Sequence, residues 1–151
     1  GVNDRKKKED GMKQSQRLFL TWLIEDTRLF DSIKGWITEE DFTEPLYRKA
    51  AQELFTQYGE SGQVNPAKII SRFQEEEEQK EIAGLFNAKI HEVETKQDKE
   101  KALKETIERI KENSIDVRSR QSDPNDLTVV MQLINEQKEL EKLKKTHISI
   151  D

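Results

Sequence analysis

Apolar residues recur at intervals of three and four along almost the whole chain, and no stretch alternates apolar with polar as a half-buried strand requires. The clearest run lies between Thr43 and Tyr58, where Leu46, Tyr47, Ala50, Ala51, Leu54, Phe55 and Tyr58 fall on one stripe of a helix. From Gln14 to Asp26, Leu18, Phe19, Trp22 and Leu23 mark a second apolar face. Leu29, Phe30 and Ile33 predict a short helix around Thr27–Lys34, and Ile69, Ile70 and Phe73 another over Asn65–Phe73. After the acidic run Glu75–Glu78, Ile82, Leu85, Phe86 and Ile90 mark one more. The fold class that follows is all-α.

The breaks between these segments have physical causes. Pro45, Pro66 and Pro124 each follow a residue suited to capping, and proline fits a first helical turn because its missing N–H would be unpaired there. Glycines 35, 59 and 62 stand where helices should stop. In the connector 35–42, Trp36, Ile37 and Phe42 must tuck under the bundle, since exposed aromatics in a loop are unfavourable. Gly84, inside a helical pattern, costs about 1 kcal/mol relative to alanine, and close helix packing is the expected return.

Past residue 95 aromatics disappear and Lys, Glu and Gln take over. Leu103, Ile107, Ile110 and Val117 form a narrow coiled-coil-like seam whose gap is filled by Ser114. Residues 120–125 then supply a stop, a turn and a fresh N-cap, and a last helix runs from about Pro124 to Lys145, with Leu127, Val130, Met131, Ile134, Leu140 and Leu143 as its apolar positions. Two long helices joined by a few residues lie antiparallel. The expected architecture is a compact helix bundle followed by a protruding antiparallel two-helix hairpin: a charged linker over 1–11, the bundle over 12–96 and the hairpin over 97–151. A chain that begins at Gly1 in a charged stretch reads as a piece of a larger protein.

Composition supports an elongated, two-part shape. The hydrophobic fraction of 32% lies below the roughly 45–50% usual for globular domains, and the charged fraction of 38% lies above the usual ~25%. With 26 Lys plus Arg against 31 Asp plus Glu, the net charge is −5, which disfavours duplex DNA as a partner for the whole module. The chain has no cysteine, which removes disulfides, thiol catalysis and zinc–thiolate sites and suits a cytoplasmic location. No apolar run approaches the ~18–20 residues of a membrane span.

Chemistry-bearing patterns are missing from the sequence. His91 and His147 are the only histidines, and neither has carboxylates or histidines at ligand spacing. The six glycines form no phosphate-cradling loop, and the serines lack a nucleophile setting. We therefore expect no catalytic, cofactor-binding or metal-binding residue and no small-molecule substrate. Arg109, Lys111, Arg118 and Arg120 are either a strip for an acidic partner or nucleic acid, or ordinary surface charge interspersed with Glu105, Glu108, Glu112 and Asp116.

The end of the chain is the anomaly. Val129, Val130 and Met131 are consecutive, as are Leu133 and Ile134, so the last helix is apolar on more than one face. The chain then closes on His147-Ile148-Ser149-Ile150-Asp151, whose isoleucines have no obvious core to enter. Packing against the other arm of the hairpin would account for some of this surplus. A partner-binding patch accounts for the rest, and its candidate anchors are Met131, Ile134, Leu140, Leu143, Ile148 and Ile150. On that reading, removing the last ten or so residues abolishes binding and leaves the bundle folded.

The segment RLFLTWLIEDTRLFDSIKGWITEEDFTEPLYRKAAQELF resembles the start of the carboxy-terminal domain of bacterial DNA primases and, more distantly, the amino-terminal domain of the replicative helicase. The resemblance is carried by the Leu18–Asp26 helix, the short helix with Leu29-Phe30, the connector with Glu40-Asp41-Phe42 and the Pro45–Tyr58 helix. It covers the chain from about residue 13, and the long final hairpin favours the primase version. It implies a non-catalytic module, without cofactors and monomeric alone, that docks on the amino-terminal collar of the hexameric replicative helicase. Docking would recruit primase to the fork, with the bundle modulating helicase activity. Two other readings stand beside it: a nucleic-acid-binding helical domain using Arg5–Lys8 and the hairpin's basic residues, and the helicase's own self-associating collar domain.

Overall fold

A computed structural model of the chain describes residues 2–87 and 95–150. The described residues form seven α-helices and no strand: α1 (Val2–Glu25), α2 (Leu29–Ile33), α3 (Pro45–Ser61), α4 (Pro66–Ile70), α5 (Glu76–Asn87), α6 (Lys96–Gln121) and α7 (Leu127–Lys144). A single 3-10 turn, Glu39–Asp41, interrupts the connector between α2 and α3. Ile90 and His91 lie outside the described residues.

Local chemistry sets most of the boundaries. Pro45 and Pro66 open α3 and α4, and the Asn65 side chain accepts from the Lys68 amide. Gly62 closes α3 in the left-handed conformation at φ 72°, where its N–H donates to the Tyr58 carbonyl at 2.8 Å. Gly59 lies inside α3 and stops nothing, because the helix runs one more turn to reach Gly62. Glu76, Glu77 and Glu78 occupy the first turn of α5, where negative charge meets the positive end of the helix dipole.

Three expectations are corrected. Residues 2–11 are not a linker but the first turns of α1. Lysine, arginine and glutamate are good helix formers, and α6 runs alongside, with Lys8 and Met12 sharing clefts with Arg109, Asn113, Val117 and Arg120. Pro124 does not begin a helix. It sits in a turn in which the Asp126 amide donates to the Asp123 carbonyl at 3.0 Å and the Asn125 amide to Asp123 Oδ1 at 2.9 Å, so α7 starts three residues later at Leu127. Gly84 is not required by close packing, since a Cβ there would meet only Arg17 Nη2 at 3.6 Å.

α6 is the spine of the molecule. It packs against α1, the connector turn and α7. α7 runs antiparallel to it: the pair Lys111–Glu136 lies nearer the turn, and Lys104 meets the Lys144 carbonyl further back. The apolar core is one continuous cluster, from Phe19, Leu20 and Leu23 through Phe42, Tyr47 and Leu54 to Leu103, Ile107, Ile110, Leu140 and Leu143. The last two helices thus share the core of the first five, which differs from the expected stand-alone projecting arm. The physical reason is the seam: α7 contributes only Leu140 and Leu143 as buried residues, too few to cover α6 without α1.

Polar side chains also lock the elements together. Gln16 of α1 accepts from the Glu44 amide at 3.1 Å and donates to Thr43 Oγ1 at 2.9 Å, which ties down the start of α3. Gln57 clasps the Asn65 backbone ahead of α4 through both of its amide atoms. The Tyr47 hydroxyl donates to Glu81 at 2.8 Å and Arg17 pairs with the same carboxylate at 3.1 Å, joining α1, α3 and α5. Ile37 and Phe42 are buried as the connector's chemistry demanded, and Trp36 is half-buried against the core.

Candidate interaction surface on the last helix

α7 carries two apolar faces with different fates. Leu140 and Leu143 point into the core. Leu127, Met131 and Ile134 stand at i, i+4 and i+7, one stripe of a helix, and are 71%, 69% and 51% exposed. These three, with Leu18, are the exposed large hydrophobic residues among the described ones. The stripe borders a groove of about 420 Å³ between the two helices, lined by Ile115, Ser119, Pro124, Val130, Leu133 and Ile134 among others. No apolar side chain between Asp116 and Glu139 is fully buried, and of those on α7 Leu133 is partly buried against the core.

Of the six candidate anchors, only Met131 and Ile134 lie on this surface. Leu140, Leu143, Ile148 and Ile150 are in the core, the two tail isoleucines only 3% and 5% exposed. The expectation that the tail lacks an intramolecular home is therefore corrected. After Lys145 the chain turns back between α2 and α6. Ser32 Oγ donates to the Ser149 carbonyl at 2.7 Å, and the Ile150 amide donates to the buried Glu100 carboxylate at 2.8 Å. His147 Nε2 stands 3.4 Å from the other oxygen of Glu100. One signal in the sequence pointed here: isoleucines at i and i+2 face the same way in an extended segment, with Ser149 between them facing out. Leu127 was legible as an apolar helix position, but its exposure was not.

Beneath the stripe lies an ion cluster that the sequence reading missed. Asp41, buried at the end of the 3-10 turn, accepts from Lys111 Nζ at 3.2 Å with both oxygens and from Ser114 Oγ at 2.9 Å. It also accepts from the Thr38 amide at 3.0 Å, completing a capping box with the Thr38 side chain. Glu136, from α7, receives Lys111 at 3.0 Å and both arms of Arg118 at 2.6 and 2.7 Å. Burial pushes the Glu136 carboxyl up, but the hydrogen bonds from Arg118 and Lys111 outweigh it and hold the group below the ordinary glutamate value. The hydrogen bond to Glu136 likewise raises the Arg118 guanidinium above its ordinary value. The spacing Thr38-Glu39-Glu40-Asp41 was the available clue, since a threonine followed three residues later by an acid marks a cap.

This cluster accounts for two of the four basic residues of α6 singled out in the sequence. Lys111 and Arg118 serve internal carboxylates, and Arg120 pairs with Asp116 one turn away at 2.9 Å. Among the described residues, no group of three or more His, Asp or Glu side chains is arranged to hold a metal ion, and no helix is long and apolar enough to cross a membrane. In comparisons with protein-family models, curated proteins and solved structures, the chain has no significant match.

Proposed function

We propose that this chain is a non-catalytic docking module of the primase carboxy-terminal type, which binds the amino-terminal collar of the replicative helicase through the turn end of the α6–α7 pair. The observation that carries the reading is the stripe Leu127, Met131 and Ile134, three large apolar side chains held in water on one helix face beside an apolar groove. Leaving such side chains exposed forgoes burial worth roughly 1.5–3 kcal/mol each, a cost that a partner surface recovers. A helical collar domain offers matching chemistry, because a helix face reads i, i+4 and i+7 anchors by interdigitation. The likeness of residues 17–55 to the primase domain supplies the partner's identity.

In this role the rest of the fold is scaffold. α1 and the connector turn hold α6, α6 holds α7, and the bundle stands ready to modulate the helicase once the pair is seated. Recruitment of primase to the fork, in the cytoplasm, follows from the docking, and the module acts as a monomer until it meets the ring. The nucleic-acid alternative has less to draw on in α6, since Lys111 and Arg118 are taken up by largely buried carboxylates of this chain.

The test is calorimetric titration of the whole chain into the cognate replicative helicase, with Met131→Asp and Leu127→Asp as variants. Each should weaken binding by roughly 30-fold or more, the loss typical of a central apolar anchor, and leave the melting curve of the free chain unchanged. Undiminished binding by both variants, or no binding by the parent, would remove the proposal.

A further inference from the structure

We propose that the Asp41–Lys111–Arg118–Glu136 cluster is a conformational relay, through which the position of α7 is felt at the connector turn of the bundle, an element to which Glu136 makes no direct bond. The inference stands apart from what α7 binds, because it concerns only how two elements of this chain sense each other.

Its basis is that neither carboxylate owns a cation. Lys111 Nζ lies 3.2 Å from both oxygens of Asp41 and 3.0 Å from Glu136. Arg118 grips Glu136 with two nitrogens and reaches Asp41 at 3.4 Å with one of the same two. Both cations sit on α6, seven residues apart, with Ser114 between them on the same face. Ser114 is fully buried at a seam position that would otherwise hold an aliphatic side chain, and its hydroxyl donates to Asp41 while accepting from Arg118. Two positive and two negative groups thus meet in a largely enclosed site, with Glu40 adding a weaker attraction on Arg118. Moving Glu136 away leaves two cations facing one buried carboxylate, an imbalance that a low-dielectric interior penalises heavily.

The response at the far side follows from what else Asp41 holds. Its Oδ2 accepts from the Thr38 amide, and the turn it closes relies on short-range bonds from the Asp41 amide to the Thr38 carbonyl and from the Phe42 amide to the Glu39 carbonyl. Ile37 and Phe42, which flank the turn, are both buried, and the Phe42 ring lies 6.0 Å from Phe19 of α1. A shift of Asp41 toward newly unbalanced cations therefore loosens a turn that pins two core side chains. In the other direction, loss of the Asp41 charge leaves Lys111 and Arg118 to Glu136 alone, which tightens the tie between α6 and α7. A cleft of about 490 Å³, lined by Phe42 and Thr43 on one side and Val129 and Leu133 on the other, lies beside the cluster and gives both elements room to move.

The experiment is residue-resolved hydrogen exchange on the whole chain, comparing the parent with Glu136→Gln and Asp41→Asn. Glu136→Gln should speed exchange of the Asp41 and Phe42 amides by about tenfold, within the range of couplings seen inside one ion network. Asp41→Asn should instead slow exchange of the α7 amides around residues 130–136, because both cations then fall to Glu136, with α5 amides unchanged in both. Faster exchange confined to the element that carries the substitution would overturn the relay. Should Asp41→Asn fail to melt cooperatively, Glu136→Gln alone decides: acceleration at Asp41 and Phe42 upholds the proposal and its absence ends it.

Discussion

Ile148 and Met131 are both apolar residues in the last part of the chain, and the structure assigns them opposite energetic roles. Replacing Ile148 with alanine removes three carbon atoms from a site only 3% exposed. At about 0.8 kcal/mol per buried methylene the transfer loss is about 2.4 kcal/mol, and an unfilled cavity adds to it within a usual range of 2–5 kcal/mol. The segment is terminal, so its neighbours can relax into the space, and the expected cost is about 2.5 kcal/mol. For a chain of this size each kcal/mol lowers the melting temperature by about 2–4 °C, which places the shift at about 5–10 °C. Met131→Ala, at a position 69% exposed, should fall within about 0.5 kcal/mol of the parent. Thermal melts followed by circular dichroism at 222 nm separate these outcomes. A melting temperature for Ile148→Ala equal to the parent's would mean that the tail is not seated between α2 and α6. The same reasoning changes the meaning of a truncation: removing the last ten residues deletes Leu143, Ile148 and Ile150 from the core, so lost partner binding in that variant would report unfolding as well as missing contacts.

Other outcomes follow from single sites. Gly84→Ala places a Cβ at ordinary contact distance from Arg17 and should stabilise the fold by up to about 1 kcal/mol through helix propensity, read as a higher urea midpoint. Gln16→Ala leaves the Glu44 amide without its acceptor and should cost about 1–3 kcal/mol in the same assay. The Glu136 carboxyl is held below its ordinary value in the folded state, so its stabilising contribution is present above the ordinary glutamate value and is lost as pH falls through the lower folded one. Melting temperature should therefore decline on acidification below the ordinary glutamate value, and Glu136→Gln should show a shallower decline; parallel curves for the two proteins would contradict the pairing.

The all-helical character was legible because it is local. Spacing of apolar residues at three and four, prolines at 45 and 66, and the left-handed Gly62 each act through a few neighbouring residues. Legibility failed where two local solutions had similar cost. A charged stretch such as residues 2–11 is a solvated coil or a helix depending on whether another helix runs beside it, and α6 does. Asp-Pro-Asn serves as a helix start or as a turn, and the reach from α6 to α7 selected the turn.

For the candidate interaction surface the division is sharper. The sequence alone showed that the last helix and tail hold more apolar side chains than one seam can cover, and it named Met131 and Ile134 among them. Tertiary structure alone decided which of those side chains are covered. Ile148 and Ile150 find a place between α2 and α6, while Leu127, an apolar position of the helix and not one of the expected anchors, stays in water. Burial is a property of neighbours brought in from 40 to 120 residues away, as in the bond from Ser32 to Ser149, and a one-dimensional pattern carries no term for them. The same holds for Asp41, whose worth lies in two cations some 70 residues along the chain that meet it only once α6 has packed against the connector.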